Sequence, residues 1–186
     1  MIIATIVGHQ ASVNIGFMKS FLQVRDYAYI IQEGPNIADN RNLVFRKAKE
    51  LGRDLLFIDS DMIFKREDVE AIEGLLGKLD VVTGLCVLSA EGHPPSVFKN
   101  EDGEFKTAKV KRTIFEVDAC GAAFLGISNR VIQKLDDPFK EVWDEKRKAF
   151  YGEDISFCIR AKEAGFKIAC DPAVRIGHLK PKVLYF

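Results

Sequence analysis

The residues with the clearest chemical potential are Asp59-Ser60-Asp61, which directly follow the apolar run Leu-Leu-Phe-Ile at 55–58. Two carboxylates one residue apart, in a loop after a buried strand, offer hard oxygen ligands to a divalent cation. A cation there is most useful for neutralising a diphosphate. Asp and Ser also favour turns and caps, so a purely structural role for the triplet stays open.

A second pair of carboxylates, Glu153 and Asp154, follows Gly152 at the start of a predicted helix. Carboxylates are ordinary in a first turn, because the helix dipole and the free N–H groups stabilise them. The chemical interpretation is a general base that takes a proton from an acceptor hydroxyl, with Gly152 allowing close approach of the backbone. One carboxylate can do this while its neighbour binds the acceptor or the helix N-terminus.

Two isolated residues could join these carboxylates. His178 lies in an extended segment near the end of the chain, and as a third metal ligand beside Asp61 its neutral imidazole would suit Mn²⁺ better than Mg²⁺. A structural histidine is the alternative. Arg41 lies near the start of the predicted helix 37–51, where the dipole disfavours a positive charge. It either holds a phosphate or the acceptor, or it is solvated.

The elements that must position these residues alternate in type through the first half of the chain. Strands separated by helices of about ten to fifteen residues indicate βαβ crossovers and a parallel sheet covered on both faces. Ligands of such sheets sit beyond the carboxyl ends of the strands, where Asp59 and Asp61 would emerge. The predicted strands are 2–7, 27–32, 54–58 and 80–85, and the predicted helices are 14–24, 37–51 and 66–76.

The pattern changes from residue 89 onwards. Turn signals at 91–95 and 100–103 enclose one short strand candidate. The chain therefore predicts one α/β domain over residues 1–186, with a mostly parallel, Rossmann-like sheet flanked by helices and a small antiparallel hairpin insertion. The elements expected next are an exposed hairpin at 106–117, an apolar segment at 121–127 and a helix at 129–135. A charged, flap-like segment with the single Trp143 follows at 136–152. The last elements expected are a helix at 153–164, a strand at 167–170 and an extended run at 174–178.

Composition excludes several classes of protein. Lys+Arg and Asp+Glu balance at 27 each, so no basic excess supports binding to nucleic acid or anionic membranes. No apolar stretch approaches the roughly 20 residues of a membrane span, and the first residues lack the positive charge of a signal peptide. The cysteines form no CxxC pair, which favours free, mostly buried thiols in a reducing cytoplasm. We expect a cytoplasmic protein, and a homo-oligomer stays open.

Four segments occur in a characteristic order: 36–42, with Arg41-Asn42; 55–62, with the Asp pair; 118–125; and 152–161, with Gly-Glu-Asp. His178 follows them. Together they resemble family-2-like glycosyltransferases of the GT-A fold, in the nucleotide-diphospho-sugar transferase superfamily, and the likeness runs across nearly the whole chain.

The resemblance implies a metal-dependent glycosyltransferase that moves a sugar from a nucleotide-diphosphate sugar to a hydroxyl of a glycan, a lipid or a small molecule. Residues 1–88 would bind the nucleotide sugar, and residues 89–186 would form the acceptor side. Asp61 and His178 would hold Mn²⁺ or Mg²⁺ against the diphosphate, with Asp59 near the ribose and the metal. The metal would stabilise the leaving nucleoside diphosphate.

The resemblance also implies roles on the two sides of that metal. On the nucleotide side, Arg41 would help to bind the sugar donor. Glu33 stands where many relatives carry acidic residues that read the nucleobase. On the acceptor side, Trp143 or Phe150 would stack on a sugar face, beside Gly152.

The catalytic base depends on the stereochemical outcome, which the sequence does not decide. In an inverting enzyme Asp154 would be the base and Glu153 its neighbour, although the two could exchange roles. In a retaining enzyme no base is required on that side.

Three alternatives compete with this hypothesis. A nucleotidyltransferase normally needs a basic Gly-rich loop after its first strand, and segment 8–13 has no Lys or Arg. A haloacid-dehalogenase-type phosphatase needs Asp-x-Asp-x-Thr/Val, but Ile63 occupies the last position. A non-catalytic sugar-nucleotide or glycan-binding module on the same fold would have lost the metal or base carboxylates, and this sequence retains them.

Overall fold

A seven-stranded mixed sheet forms the centre of the structure, a computed structural model that describes residues 1–7, 13–88 and 92–179. Three small antiparallel sheets surround it. The strands are β1 (Ile2–Val7), β2 (Ala28–Glu33), β3 (Leu55–Ile58), β4 (Met62–Ile63), β5 (Val81–Leu85), β6 (Val97–Glu101), β7 (Glu104–Thr107), β8 (Phe115–Val117), β9 (Ala119–Cys120), β10 (Phe124–Ile127), β11 (Trp143–Asp144), β12 (Ala149–Phe150), β13 (Ile168–Arg175) and β14 (Gly177–His178).

Helices cover both faces of this sheet. The α-helices in the described ranges are α1 (Ile15–Phe21), α2 (Ile37–Leu51), α3 (Arg66–Leu76), α4 (Asn129–Lys134) and α5 (Glu153–Glu163), and a 3₁₀ turn, Leu22–Val24, continues α1. None of them is long and apolar enough to span a membrane.

The main sheet has the order β2-β1-β3-β10-β5-β13-β8. Strands β1, β2, β3, β5 and β13 run in one direction, while β8 and β10 run antiparallel to their neighbours. The predicted α/β architecture, a mostly parallel sheet flanked by helices, is confirmed. Because β3 lies inside the sheet, its carboxyl end opens onto a crevice rather than an edge.

The core lies in two layers, one on each face of the sheet. Strand β3 is buried throughout, and its side chains alternate between the layers. Leu55 and Phe57 pack in the layer beneath α2 and α5, and Leu56 and Ile58 pack in the layer beneath α3. A strand buried on both faces is apolar at every position, which explains the unbroken run before Asp59.

The main difference from the sequence prediction concerns the hairpin of the second half. It joins β6 and β7 through Asp102-Gly103, whose φ angles are 55° and 92°. Both angles lie in the left-handed region that a two-residue hairpin turn requires, and Asp-Gly is a preferred pair for it. The predicted hairpin at 106–117 is wrong, because Phe115–Val117 instead joins the edge of the main sheet beside β13.

Smaller differences occur at element ends. The helix predicted at 14–24 divides into α1 and the 3₁₀ turn, and the strand predicted at 167–170 continues to Arg175. The charged segment around Trp143 forms the short β11–β12 hairpin. The prediction of free cysteines is confirmed, and all of them are buried: Cys86, Cys120, Cys158 and Cys170.

Candidate active site

The two carboxylates of the Asp-Ser-Asp triplet are positioned by different elements. Asp59 directly follows β3, and its backbone N–H donates to the carbonyl of Ala123, 3.0 Å away, in the segment before β10. Asp61 directly precedes β4, which pairs with β14 so that His178 lies opposite Met62. The main sheet therefore fixes the first carboxylate, and the small β4–β14 ladder brings the second beside the histidine.

Arg41 links the first carboxylate to the start of α5. The residue is buried, with 1% of its surface exposed, although it carries a charge. Its Nη2 donates to Oδ1 of Asp59 at 2.8 Å, and its Nε donates to Oε1 of Glu153 at 3.4 Å. Nη1 also donates to the carbonyl oxygen of Ala122, 3.4 Å away. One guanidinium thus connects α2, the end of β3 and the first turn of α5.

The charge of Arg41 is retained despite its burial. Burial disfavours the charged guanidinium, but the carboxylates of Asp59 and Glu153 outweigh that effect, and the pKa of Arg41 is raised. The guanidinium carbon also lies 5.0 Å from the centre of the Phe57 ring and 6.0 Å from that of Phe139. These ring faces attract a cation and close the cluster on its core side.

Asp154 has a different environment from its neighbour. Burial, and then the adjacent charge of Glu153, raise the pKa of Asp154 to about 6. Gly152 leaves room for this carboxylate, since a Cβ at that position would lie only 3.1 Å from its Oδ1. Asp154 is therefore a partly buried carboxylate whose pKa is raised towards neutral pH, which suits a general base.

Asp61 and His178 form a second polar pair. Nε2 of His178 lies 3.0 Å from Oδ2 of Asp61, and Nδ1 lies 2.9 Å from the carbonyl oxygen of Val87. A carbonyl oxygen can only accept, so Nδ1 carries a hydrogen. In the neutral ring Nε2 is then an acceptor that faces a carboxylate oxygen, itself an acceptor. A proton or a bound cation between the two atoms satisfies both.

The pair fits a metal ion in donor type and spacing. A carboxylate oxygen and an imidazole nitrogen suit Mn²⁺, and a histidine that ligates a metal commonly donates its other N–H to a backbone carbonyl. Two ligands at right angles on an octahedral ion lie about 3.0 Å apart when each metal–ligand distance is about 2.1 Å. Asp59, also predicted as a ligand, has its Oδ1 bonded to Arg41. In the described residues no three His, Cys, Asp or Glu side chains form a ready metal cluster.

Two adjoining cavities open at this end of the sheet. The first, of about 140 Å³, is lined by predicted site residues from both halves of the chain; they are Arg41, Asp59, Glu153, Asp154 and His178. The second, of about 270 Å³, is lined by Asp59 and Asp61 and by Gly34-Pro35, beyond the carboxyl end of β2. Asp59 lies on both walls, so the carboxylate stands between the two spaces.

Four predicted site residues, Glu33, Trp143, Phe150 and Gly152, lie outside these two walls. Glu33 is exposed at the end of β2, next to the glycine that lines the second cavity. Trp143 is exposed on the β11–β12 hairpin, where its ring lies 5.0 Å from that of Phe150. Gly152 is the N-cap of α5, adjacent to Glu153.

The smaller cavity also has walls that the sequence analysis did not single out. They include Cys86, Ser96 and Gly121. Burial raises the pKa of Cys86 to about 12, so its thiol is protonated at neutral pH and is not a nucleophile. The small residues at 121–123 belong to the segment 118–125, but the sequence does not show that they line a cavity. They do so because they directly precede β10, which runs antiparallel to β3.

A larger concavity of about 540 Å³ lies elsewhere, beside Leu22 and Arg66. Arg66 is bonded there to Asp26 through both Nη atoms and to Glu70 through Nε. Because its charges are already paired on the open surface, this concavity is a weaker candidate than the smaller cavity, where the partly buried carboxylate of Asp154 has a raised pKa.

Comparisons with known proteins support the fold. No family model matches the chain, and the curated proteins contain no match. Among solved structures, A197 from STIV aligns with a TM-score of 0.72 and 21% sequence identity over 97% of this chain and 87% of that one. The crystal structure of GalNAc-T7 with UDP, GalNAc and Mn²⁺ aligns with a TM-score of 0.61 and 11% identity over 96% of this chain and 43% of that one.

Sequence identities of 21% and 11% support a similarity of fold only. This chain spans less than half the length of the GalNAc-T7 chain, and the match covers nearly all of its own residues. The strand order, the helical layers and these alignments agree with the architecture that the motifs predict. The chain has a GT-A-like fold.

Proposed function

We propose that this protein is a metal-dependent glycosyltransferase of the family-2-like type, which transfers a sugar from a nucleotide-diphosphate sugar to an acceptor hydroxyl with inversion. The observation that carries the proposal is one cavity whose wall contains Asp59, Asp154 and His178. A nucleotide-binding carboxylate, a base and a metal ligand are the groups that this reaction requires, and they come from three separate parts of the chain.

The nucleotide sugar would bind on the side of residues 1–88. The cavity beyond β2, about 270 Å³, has Gly34-Pro35 on one wall and Asp59 and Asp61 on the other. It accommodates a nucleoside at a crevice beyond strand carboxyl ends, where ligands of α/β sheets bind. Glu33, next to this wall, would read the base. GalNAc-T7, a protein of like fold, was crystallised with UDP and Mn²⁺, which supports a nucleotide and a metal as ligands here.

Asp61 and His178 would hold Mn²⁺ or Mg²⁺ together with diphosphate oxygens of the substrate. The bound cation would neutralise the negative charge that develops on the leaving diphosphate. The carbonyl of Val87 holds the His178 ring with Nε2 turned towards Asp61. Asp59, held by Arg41, would be left to accept hydrogen bonds from the ribose.

Asp154 would act as the base in the transfer step. As the acceptor oxygen forms a bond with the anomeric carbon, the bond from that carbon to the diphosphate oxygen breaks, and its electron pair leaves with the nucleoside diphosphate. The acceptor proton passes to the Asp154 carboxylate. A pKa of about 6 leaves this carboxylate mostly ionised at neutral pH and more basic than an exposed aspartate.

Glu153 would have a supporting role. Its carboxylate is bonded to Arg41 and its charge helps to raise the pKa of Asp154. The sequence left the two roles interchangeable, and these contacts favour Asp154 as the base, while Glu153 ties the first turn of α5 to Asp59 through the guanidinium.

A thermal-shift panel of UDP, GDP, CDP and ADP, with and without Mn²⁺, tests the sugar-donor site. We expect metal-dependent stabilisation by one nucleotide and its loss in Asp61→Ala. No response to any nucleotide, or the same response in Asp61→Ala, would overturn the proposal.

A transfer assay then separates the enzyme from a non-catalytic binding module. Asp154→Ala should bind the nucleotide as the wild type does and lose transfer. A wild-type protein that binds nucleotide but never consumes a nucleotide sugar, even by hydrolysis, is a binding module.

A further inference from the structure

A groove of about 400 Å³ lies between the β6–β7 hairpin and the β11–β12 hairpin, outside the two cavities described above. Its volume is within the usual range of ligand sites, about 300–1,000 Å³. It is referred to below as the hairpin groove. Its walls are formed by three aromatic side chains, one aliphatic side chain and two charges: Phe98, Phe105, Tyr151, Ile155, Glu104 and Arg147.

The hairpin groove adjoins the cavity that holds the proposed base. Ser96 lines that cavity and Phe98, two residues further along the same extended segment, lines the groove. Likewise Asp154 lines the cavity and Ile155, the next residue of α5, lines the groove. The two spaces therefore share the walls formed by the β6 segment and by the first turn of α5.

Contacts between the two hairpins hold the groove in shape. The ring of Phe105 meets that of Tyr151 edge to face at 5.5 Å, and the Arg147 guanidinium lies 4.7 Å from the centre of the Tyr151 ring. Nζ of Lys146 donates to the carbonyl of Asp102 across the gap at 3.2 Å. Walls that are ordered in advance reduce the entropy cost of binding a ligand.

We propose that the hairpin groove binds the acceptor, and that the acceptor unit in it is a sugar ring. This inference rests on the proposed transferase function and assigns its second substrate. A sugar ring presents C–H groups on its faces and hydroxyls around its edge. Aromatic faces carry negative charge density and attract C–H groups. The Glu104 carboxylate accepts hydrogen bonds from edge hydroxyls, and the Arg147 guanidinium donates to them.

An acyl chain fits this lining less well, since it makes no hydrogen bonds and would leave Glu104 and Arg147 without a use. The proposal also replaces the residue that the sequence suggested. Trp143 and Phe150 pair with each other at the exposed surface of the β11–β12 hairpin, whereas Tyr151, the next residue, lines the groove.

Binding of methyl glycosides of common hexoses and N-acetylhexosamines, measured by saturation-transfer NMR and titration, tests the assignment. The wild type should bind at least one of them, and Phe105→Ala should weaken that binding about tenfold. Glu104 is an exposed residue of the same strand that also lines the groove. Glu104→Gln is therefore a second variant, which keeps the size of the side chain and should also weaken glycoside binding. Tyr29→Ala removes an exposed aromatic side chain from the distant strand β2 and serves as the matched control.

The outcomes separate the two proposals. Phe105→Ala and Glu104→Gln should keep the metal-dependent thermal shift with nucleotide, because they do not touch the Asp61 side. If the wild type shows no nucleotide response, the transferase proposal fails whatever the glycosides do. If the nucleotide response is present but no glycoside binds, or if only Trp143→Ala weakens glycoside binding, the hairpin groove is not the acceptor site.

Discussion

The two aspartates of the Asp-Ser-Asp triplet are one residue apart and have opposite environments. Asp59 is bonded to a buried arginine that also holds Glu153, so its position is tied to α2 and α5. Asp61 is 40% exposed at its side chain, and its Oδ2 lies 3.0 Å from Nε2 of His178. The first carboxylate is held by a buried cation, and we propose that the second binds a cation that arrives with the substrate.

This contrast suggests a division of work. The Arg41 cluster secures the positions of β3, α2 and α5 relative to one another. The Asp61–His178 pair is partly exposed, and in the proposed function it supplies metal ligands. Substitutions in the Arg41 cluster should therefore lower stability. Substitutions in the Asp61–His178 pair should instead reduce metal-dependent binding.

The largest effect is expected on the transfer rate when Asp154, the proposed base, is substituted. Asp154→Asn keeps the shape of the side chain and its oxygen acceptor for the Ile155 N–H, but it cannot take a proton. We expect the transfer rate to fall about 10²- to 10⁴-fold while nucleotide binding is unchanged. Single-turnover transfer beside nucleotide titration measures both quantities. Transfer at the wild-type rate would show that the base lies elsewhere.

The next largest effect is expected at Arg41. Arg41→Met retains much of the apolar volume but leaves Asp59 and Glu153 without their buried cation, so the free energy of unfolding should fall by about 3–5 kcal/mol. Urea denaturation measures this loss. Arg66→Met, which breaks the exposed pair with Asp26, is the control and should be much less harmful. Equal losses in the two variants would contradict a special role for the buried cluster.

A smaller change in stability, of opposite sign to that of Arg41→Met, is expected when Asp154 is replaced by a residue that does not titrate. Its pKa is about 6 in the folded protein and 3.8 as the ordinary value, so the folded state binds more protons between these two pH values. The free energy of unfolding of the wild type therefore decreases as pH rises through this window. Asp154→Asn removes that dependence and should be more stable than the wild type above pH 6, by up to about 3 kcal/mol. Denaturation at several pH values measures the difference.

If Asp154 is the base, the same ionisation should also govern the transfer rate. Transfer by the wild type should decline as pH falls through about 6, because the carboxylate that accepts the proton becomes protonated. A rate that stays constant between pH 5 and pH 7 would contradict the assignment of Asp154 as base.

The smallest effect on stability is expected at His178. Its contact with Asp61 is partly exposed, so His178→Gln should change the free energy of unfolding by about 1 kcal/mol or less. The thermal shift caused by nucleotide and Mn²⁺ should nevertheless fall sharply. A large loss of stability without ligand would make this pair a structural contact and remove the contrast with Arg41.

The sequence predicts the fold well, for a physical reason. Helical periodicity and fully apolar runs report burial directly, so α2, α3 and β1 agree with the structure at both ends. The strand β8 was missed, because three residues at a sheet edge carry too little pattern to separate them from a preceding hairpin.

Pairings between distant residues could not be predicted. The contact of Arg41 with Glu153 depends on how α5 docks against α2, and nothing local to either segment encodes it. The sequence left Arg41 either a substrate role or a solvated side chain. The solvated alternative is wrong, because the structure buries Arg41 and gives it two carboxylate partners. The hairpin groove was missed for the same reason, since its walls come from two hairpins far apart in the chain.

The binding of Mn²⁺ with and without nucleotide tests the central claim most directly. The signal of free Mn²⁺ in electron paramagnetic resonance can be followed while the protein is titrated, alone and with the nucleoside diphosphate that gives the largest thermal shift. We predict weak binding alone, since Asp61 and His178 supply only two ligands, and much tighter binding with nucleotide, lost in Asp61→Ala. Equal Mn²⁺ affinity with and without nucleotide would contradict the claim that Asp61 and His178 bind a cation together with the nucleotide. An unchanged affinity of Asp61→Ala in the presence of nucleotide would also contradict it.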